Sequence, residues 1–187
     1  DTYRLQNRGG RGVSGLAKKD DDFAEYMFTC TSHEYVLFFS NLGRVYRLKA
    51  YQVPEGSRTS KGLNIVNLLP LTENESITAM LHVPSMEEEL NLCMLTKKGI
   101  IKRTLLSAYN TARKGGIIAI DLDEDDELCF TALTSGSDEL IIATKKGMAI
   151  RFKETDARLL GRTARGVRAI NLSDEKDDSV IGCAVIE

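Results

Sequence analysis

Leu92-Cys93-Met94-Leu95-Thr96-Lys97-Lys98-Gly99-Ile100-Ile101-Lys102-Arg103 decides how this chain is read. An apolar run meets a short polar turn ending in glycine, and a second apolar run follows. Glycine supplies the positive φ that a tight hairpin turn needs, so the stretch predicts a β-hairpin. The pattern recurs twice. Tyr35-Val36-Leu37-Phe38-Phe39 leads through Asn41-Leu42-Gly43-Arg44 to Val45-Tyr46-Arg47-Leu48, and Leu140-Ile141-Ile142-Ala143 leads through Thr144-Lys145-Lys146-Gly147 to Met148-Ala149-Ile150-Arg151. Each glycine is followed four residues later by an arginine: Arg47, Arg103 or Arg151.

A second lattice interleaves with the hairpins. Arg8-Gly9-Gly10-Arg11-Gly12, Arg58-Thr59-Ser60-Lys61-Gly62, Arg113-Lys114-Gly115-Gly116 and Arg162-Thr163-Ala164-Arg165-Gly166 are basic loops closing on glycine, and their last glycines lie 50, 54 and 50 residues apart. A period in this range is the mark of a repeat architecture. The third loop is the weakest, because Ala112 stands where the fourth has Arg162 and Gly115 where it has Arg165.

Two further strands are predicted per unit. One precedes each hairpin (Tyr26 to Cys30, Ile77 to Val83, Leu128 to Leu133), and one follows each basic loop (Leu63 to Leu68, Ile117 to Leu122, Val167 to Leu172). Four short strands in roughly 50 residues make a propeller-type blade. The expectation is an all-β, single-domain chain over residues 1–187 with full units at about 23–68, 77–122 and 128–172. Residues 1–17 and 179–187 read as partial units of something longer. Residues 49–57, 104–111 and 153–160 read as irregular connectors or single turns. No apolar run approaches the ~20 residues of a membrane span, and no signal peptide opens the chain.

The four cysteines, Cys30, Cys93, Cys129 and Cys183, are scattered singly through apolar strands. That is the pattern of reduced, buried thiols in a cytosolic protein, without the paired spacings of a disulfide framework or a zinc site. The two histidines, His33 and His82, fall at unrelated unit positions, which argues against a catalytic site repeated or centred on them. No metal or cofactor is expected.

Net charge is −2, but its distribution matters more than its sum. Acids cluster at Asp20 to Asp22, Glu87 to Glu89, Asp121 to Glu127 and Asp174 to Asp178, while cations cluster in the hairpins and basic loops. In a radial repeat, equivalent positions share one radius and height. The expectation is a basic belt set apart from an acidic region of solvated turns, with a polyanion as the ligand of the belt.

Gln6-Asn7-Arg8-Gly9-Gly10-Arg11-Gly12 resembles the heptapeptide termed the gyrase box, Gln-Arg-Arg-Gly-Gly-Lys-Gly, matching five of its seven residues as they stand. Stretches such as Asn41-Leu42-Gly43-Arg44-Val45-Tyr46 and Ser60-Lys61-Gly62 also resemble blades of the same family, the C-terminal domains of DNA gyrase A subunits. The resemblance covers the whole chain. The related topoisomerase IV subunit shares the blades but not an intact box. The resemblance implies a β-pinwheel, a propeller-like disc whose neighbouring blades exchange strands. It implies a non-catalytic domain that wraps double-stranded DNA around a basic rim in support of ATP-dependent negative supercoiling by a cytoplasmic, nucleoid-associated enzyme. The implied partners are the rest of a dimeric A subunit, together with the ATP-hydrolysing B subunit. The active-site tyrosine lies in another domain of that family, so none of the six tyrosines here takes that role. The residues expected on DNA are Gln6, Asn7, Arg8, Gly9, Gly10, Arg11, Gly12, Arg44, Arg47, Arg58, Lys61, Lys97, Lys98, Lys102, Arg103, Arg113, Lys114, Lys145, Lys146, Arg151, Arg162, Arg165 and Arg168. Two alternatives from other classes are a protein-docking propeller, with Tyr46 and Tyr51 as its only aromatic anchors, and an enzyme with a site in a central channel.

Overall fold

A computed structural model describes residues 34–53, 68–172 and 177–187. The three hairpins form as read: β1 (Tyr35–Ser40) with β2 (Arg44–Lys49), β4 (Asn91–Thr96) with β5 (Ile100–Leu105), and β8 (Glu139–Thr144) with β9 (Ala149–Lys153). Gly43, Gly99 and Gly147 have φ of 75°, 89° and 86°. Each donates its N–H to the carbonyl three residues back, on Ser40, Thr96 or Thr144, at 3.1 Å. The hydroxyls of those same three residues accept the N–H that follows the glycine, from Arg44, Ile100 and Met148, at 3.1–3.3 Å. A small hydroxylated residue three places before the glycine thus closes each turn twice, and the polar groups of the turn are satisfied locally.

The flanking strands are β3 (Ile77–Val83), β6 (Ile117–Ile118), β7 (Leu128–Thr134), β10 (Val167–Arg168) and β11 (Val180–Ile186). The sheets run β3-β1-β2-β6, β10-β5-β4-β7 and β11-β8-β9, antiparallel throughout. The long strand ahead of each hairpin in sequence pairs with the previous hairpin, as in Tyr35 opposite Val83 and Asn91 opposite Thr134. A sheet therefore takes its hairpin from one sequence unit and its outer strands from the next. This is the exchange of a β-pinwheel. The strands after the basic loops are shorter than their apolar runs. Beyond β6, the amides of Ala119 and Ile120 both turn to the carbonyl of Gly43, and beyond β10 those of Ala169 and Ile170 turn to Gly99. The chain leaves the ladder there to cross beneath the preceding hairpin turn. The connectors are single 3-10 turns at Ala50–Gln52, Leu106–Tyr109 and Glu154–Asp156.

The core lies between sheets. Leu37, Phe39, Leu92, Met94, Leu106, Tyr109 and Leu128 fill the space between the first and second sheets, with Phe39 and Tyr109 edge-to-face at 6.5 Å. Cys93, Leu95, Ile101, Leu140 and Ile142 fill the next space. The other face of the first sheet carries Val36, Phe38, Tyr46 and Leu48. Strands β1 and β4 are buried on both faces, which is why their sequences are continuously apolar. Cys93, Cys129 and Cys183 are free thiols within or against this core, and burial raises the pKa of each, that of Cys93 to about 11. They are small hydrophobes rather than nucleophiles. Cys30 lies outside the described residues.

Candidate nucleic-acid interface

The predicted cations fall into three physically different groups. The first group sits at the hairpin turns. Lys97, Lys145 and Lys146 are exposed, and Lys98 is half-buried. These turns are not purely basic. Asp126, buried, accepts the backbone amides of Lys98 and Glu127 at 3.0 and 2.8 Å. Asp178, equally buried, accepts those of Lys146 and Ser179 at 3.1 and 3.0 Å. Lys97 pairs with Glu127, whose carboxyl is held below its usual range mainly by that contact. The ammonium of Lys98 donates to the carbonyl of Glu124 at 3.1 Å. The expected separation of acidic and basic regions therefore fails at these turns. Acids from one unit clasp the hairpin tip of the unit before. A sequence signal for the clasp exists: Asp126 and Asp178 each stand two residues before a long outer strand, and both are buried, whereas Glu75 at the same position accepts from the Tyr46 hydroxyl and the Thr72 amide.

The second group is structural. Arg103 is 8% exposed, and its Nε donates to the carbonyl of Ala157 at 2.7 Å. Ala157 ends the 3-10 turn of the next unit. Arg47, one unit earlier, is half-buried, and its Nη1 donates at 3.1 Å to the carbonyl of Asn110, which ends the corresponding turn, Leu106–Tyr109. In the first two hairpins the arginine four residues after the glycine is thus a strap between adjacent units. It satisfies carbonyls left open at a helical C-terminus, where a cation is also favoured electrostatically. Arg103 lies 3.9 Å from Glu154, a fully buried carboxylate that also accepts from Asn91, Thr134 and the amide of Asp138. Lys102 is fully buried as well. Its ammonium donates to the carbonyls of Ala119 and Arg162 beside the Tyr109 ring. Burial, with Arg162 adding to it, pushes the Lys102 pKa down to about 7. Lys102 and Arg103 are therefore removed from the surface where the sequence put them: β5 is covered on both faces, so neither side chain of the pair can point to solvent. Arg44 is half-buried, with Nη2 on the carbonyl of Gly116 at 3.1 Å. Arg151 is exposed and forked onto Glu139.

The third group is the basic loops, which sit where the short edge strands β6 and β10 begin. Arg113, Lys114, Arg165 and Arg168 are exposed, and Arg162 is half-buried with its guanidinium on the carbonyl of Ile118. The closing glycines explain the placement. Gly116 and Gly166 have φ of 80° and 105°. A Cβ on Gly116 would lie 2.4 Å from the Tyr46 ring, and one on Gly166 2.5 Å from the carbonyl oxygen of Ile101. Each loop is pressed by its glycine against the second hairpin strand of the preceding unit, leaving the flanking cations facing outward. Ala112 is buried, which accounts for the missing arginine of the third loop. Arg165 is forked onto Asp123, a pairing across 42 residues that no local pattern announces. Lys49, Lys153 and Arg158 are exposed cations that the glycine-linked pattern does not include. Gln6 to Gly12, Arg58 and Lys61 lie outside the described residues.

The docking reading loses one of its two anchors on the same surface. Tyr46 is buried with its hydroxyl on Glu75 at 2.7 Å, so it is no docking anchor, and Tyr51 remains as an exposed aromatic beside Lys49. His82 is paired with Glu34. Among the described residues, no group of His, Cys, Asp and Glu could hold a metal ion, and no helix is long and apolar enough to cross a membrane.

Residues 1–31, 34–84, 90–133 and 138–187 match the family described as the DNA gyrase C-terminal domain, beta-propeller. The chain is 52% identical over 168 residues to the DNA gyrase A subunit of Clostridium acetobutylicum, covering 90% of this chain and 20% of that protein. It is 47% identical over its whole length to the DNA gyrase A subunit of Staphylococcus epidermidis, covering 21% of that protein. The chain thus spans about a fifth of the length of the curated relatives it matches. A crystal structure of the C-terminal domain of DNA topoisomerase IV superposes with a TM-score of 0.76 at 26% identity, over 83% of this chain and 48% of that one. A DNA gyrase A C-terminal domain structure superposes with a TM-score of 0.72 at 24% identity, over 98% and 58%.

Proposed function

The chain belongs to the DNA gyrase C-terminal domain family, and from that premise we propose that it binds duplex DNA through its basic loops and bends it around a rim. The observation that carries this reading is the repeated loop geometry: glycine presses each loop against the preceding unit and leaves Arg113 and Lys114, then Arg165 and Arg168, outward at successive sheet edges. Cations at regular intervals on a rigid scaffold suit a regularly spaced polyanion. Bending a 20–30 base-pair site by 40–90° costs on the order of 1–6 kcal/mol, which repeated phosphate contacts can offset without base readout.

The proposed contact set is Arg113, Lys114, Arg162, Arg165 and Arg168, joined by Lys97, Lys98, Lys145 and Lys146 at the hairpin tips and by Arg44 and Arg151 where their present partners yield. The sequence adds Gln6, Asn7, Arg8, Gly9, Gly10, Arg11, Gly12, Arg58 and Lys61. Lys102, Arg103 and Arg47 are assigned to the scaffold. In this reading the chain is one non-catalytic pinwheel domain, with units as set out from the sequence. It works beside the rest of a dimeric gyrase A subunit, with the ATPase B subunit, in the bacterial cytoplasm and in support of negative supercoiling.

Filter binding of linear duplex across a salt series tests the reading. With ~8 phosphates neutralised, log affinity falls against log salt with a slope near −7. A slope close to zero removes the electrostatic account.

A further inference from the structure

The Asp123–Arg165 pair is unlike the other contacts of the basic loops. Arg165 directs Nε and Nη2 at the two carboxylate oxygens of Asp123, a planar fork on a planar two-oxygen acceptor. The pair stands in the open, with side-chain exposures of 44% for Arg165 and 37% for Asp123. Lys98 and Arg168 add weaker electrostatic contributions at the same carboxylate. Together they hold the Asp123 carboxyl below its usual range, Arg165 most of all. The scaffold beneath is fixed by backbone bonds: the amide of Asp121 donates to Ala164 at 3.1 Å, and the amide of Asp126 to Asp123 at 3.2 Å. The backbone that carries both side chains is therefore fixed without help from the ion pair.

A carboxylate held this way occupies the position that a phosphodiester would take, because the arginine fork fits either two-oxygen anion. We propose that Arg165 offers a phosphodiester seat on the rim, and that Asp123 fills it in the free protein and must be displaced by the DNA backbone. The proposal rests on the DNA-binding reading above and adds a residue that sets the strength of one contact. Asp123 acts as a built-in competitor. When DNA arrives, Arg165 exchanges one anion for another, and the released carboxylate gathers a counterion of its own. This position then contributes less to affinity, and to counterion release, than an unpaired cation would.

Asp123→Asn keeps the shape and removes the charge. The expected result is tighter binding to linear duplex at low salt by about two- to fivefold, the range spanned by an exposed ion pair. The log affinity–log salt slope should steepen by about 0.9, one additional counterion released. The gain should vanish when Arg165→Ala is added, since Arg165 is the group set free. Asp123→Ser, which cannot fork onto Arg165, should behave as Asp123→Asn does, and equal melting temperatures for both variants show that the fold is kept. Unchanged affinity and slope in Asp123→Asn and Asp123→Ser overturn the seat, as does a gain that survives Arg165→Ala. If the unaltered chain shows no salt-dependent binding, the DNA reading and the seat fall together. If it binds and the variants match it, the seat alone falls.

Discussion

Replacing Arg103 with Met separates the two roles an arginine in this repeat can have. The Nε–Ala157 bond of 2.7 Å and the guanidinium 3.9 Å from Glu154 are both lost. Arg103 is 8% exposed and Glu154 fully buried, so solvent does not replace what is removed. Leaving a buried charge wholly uncompensated costs ~3–5 kcal/mol. Glu154 retains the donors on Asn91, Thr134 and Asp138, at 3.1, 2.9 and 2.9 Å, which softens that penalty. The carbonyl of Ala157 loses a charged donor, worth ~1.5–3 kcal/mol. The expected destabilisation is therefore ~2–4 kcal/mol, read as a lower urea midpoint with an unchanged m value. Under conditions where the variant is folded, its DNA affinity should keep the salt slope of the unaltered chain. Arg103→Lys keeps the charge beside Glu154 but not the guanidinium that reaches Ala157 as well, so it should be destabilised less than Arg103→Met and still measurably. A contact to DNA would give the opposite pattern: stability within ~0.5 kcal/mol and a slope shallower by ~0.9. That pattern would refute the strap.

The mirror-image outcome is expected at Arg113 and Lys114: changing both to Ala should leave stability within ~0.5 kcal/mol and make the salt slope shallower by up to ~1.8. Lys102 makes stability depend on pH. Its pKa in the fold, about 7, lies below the unfolded value of 10.5, so the unfolded chain binds the proton more readily between those values. The Lys102 contribution is then fully favourable above ~10.5 and is lost as pH falls toward 7. Urea midpoints of Lys102→Met and the unaltered chain at pH 7 and pH 9 should show a difference favouring the variant at the lower pH, and equal differences would contradict this. Arg8→Ala with Arg11→Ala should leave the melting temperature nearly unchanged and weaken linear-duplex binding modestly. Placed in an intact gyrase A subunit, the pair should abolish negative supercoiling while relaxation persists, as a plasmid assay would show.

The hairpins are legible because each requirement is local. An apolar run, a positive-φ glycine and a hydroxylated residue three places earlier lie within a dozen residues. The pairing of Ile77–Val83 with the preceding hairpin is not legible from periodicity, because either neighbour offers an apolar edge of the right length. The recurring arginine is the harder case. Arg47 and Arg103 repeat with a glycine just as the loop cations do, and recurrence marks any role that every unit shares, strapping included. The feature that separates them is where they stand: Arg103 sits in a strand covered on both faces, whereas Arg113 and Arg165 sit in loops ahead of edge strands. The acids mislead for a related reason. Asp126 and Asp178 look like members of solvated acidic runs, yet each closes a hairpin tip brought to it from another unit. Glu87 to Glu89, which read the same way, are exposed.

Wrapping, rather than binding alone, is the central claim, and the topology of a sealed plasmid reports it directly. Nicked circular plasmid is incubated with the chain at increasing ratios, sealed by ligase, stripped of protein and resolved by gel electrophoresis. A rim that bends DNA in one sense shifts the linking-number distribution progressively in one direction, and neutralising Arg113, Lys114, Arg165 and Arg168 together reduces the shift. A distribution that stays centred on that of protein-free plasmid, at concentrations where filter binding shows the DNA fully occupied, would contradict the account.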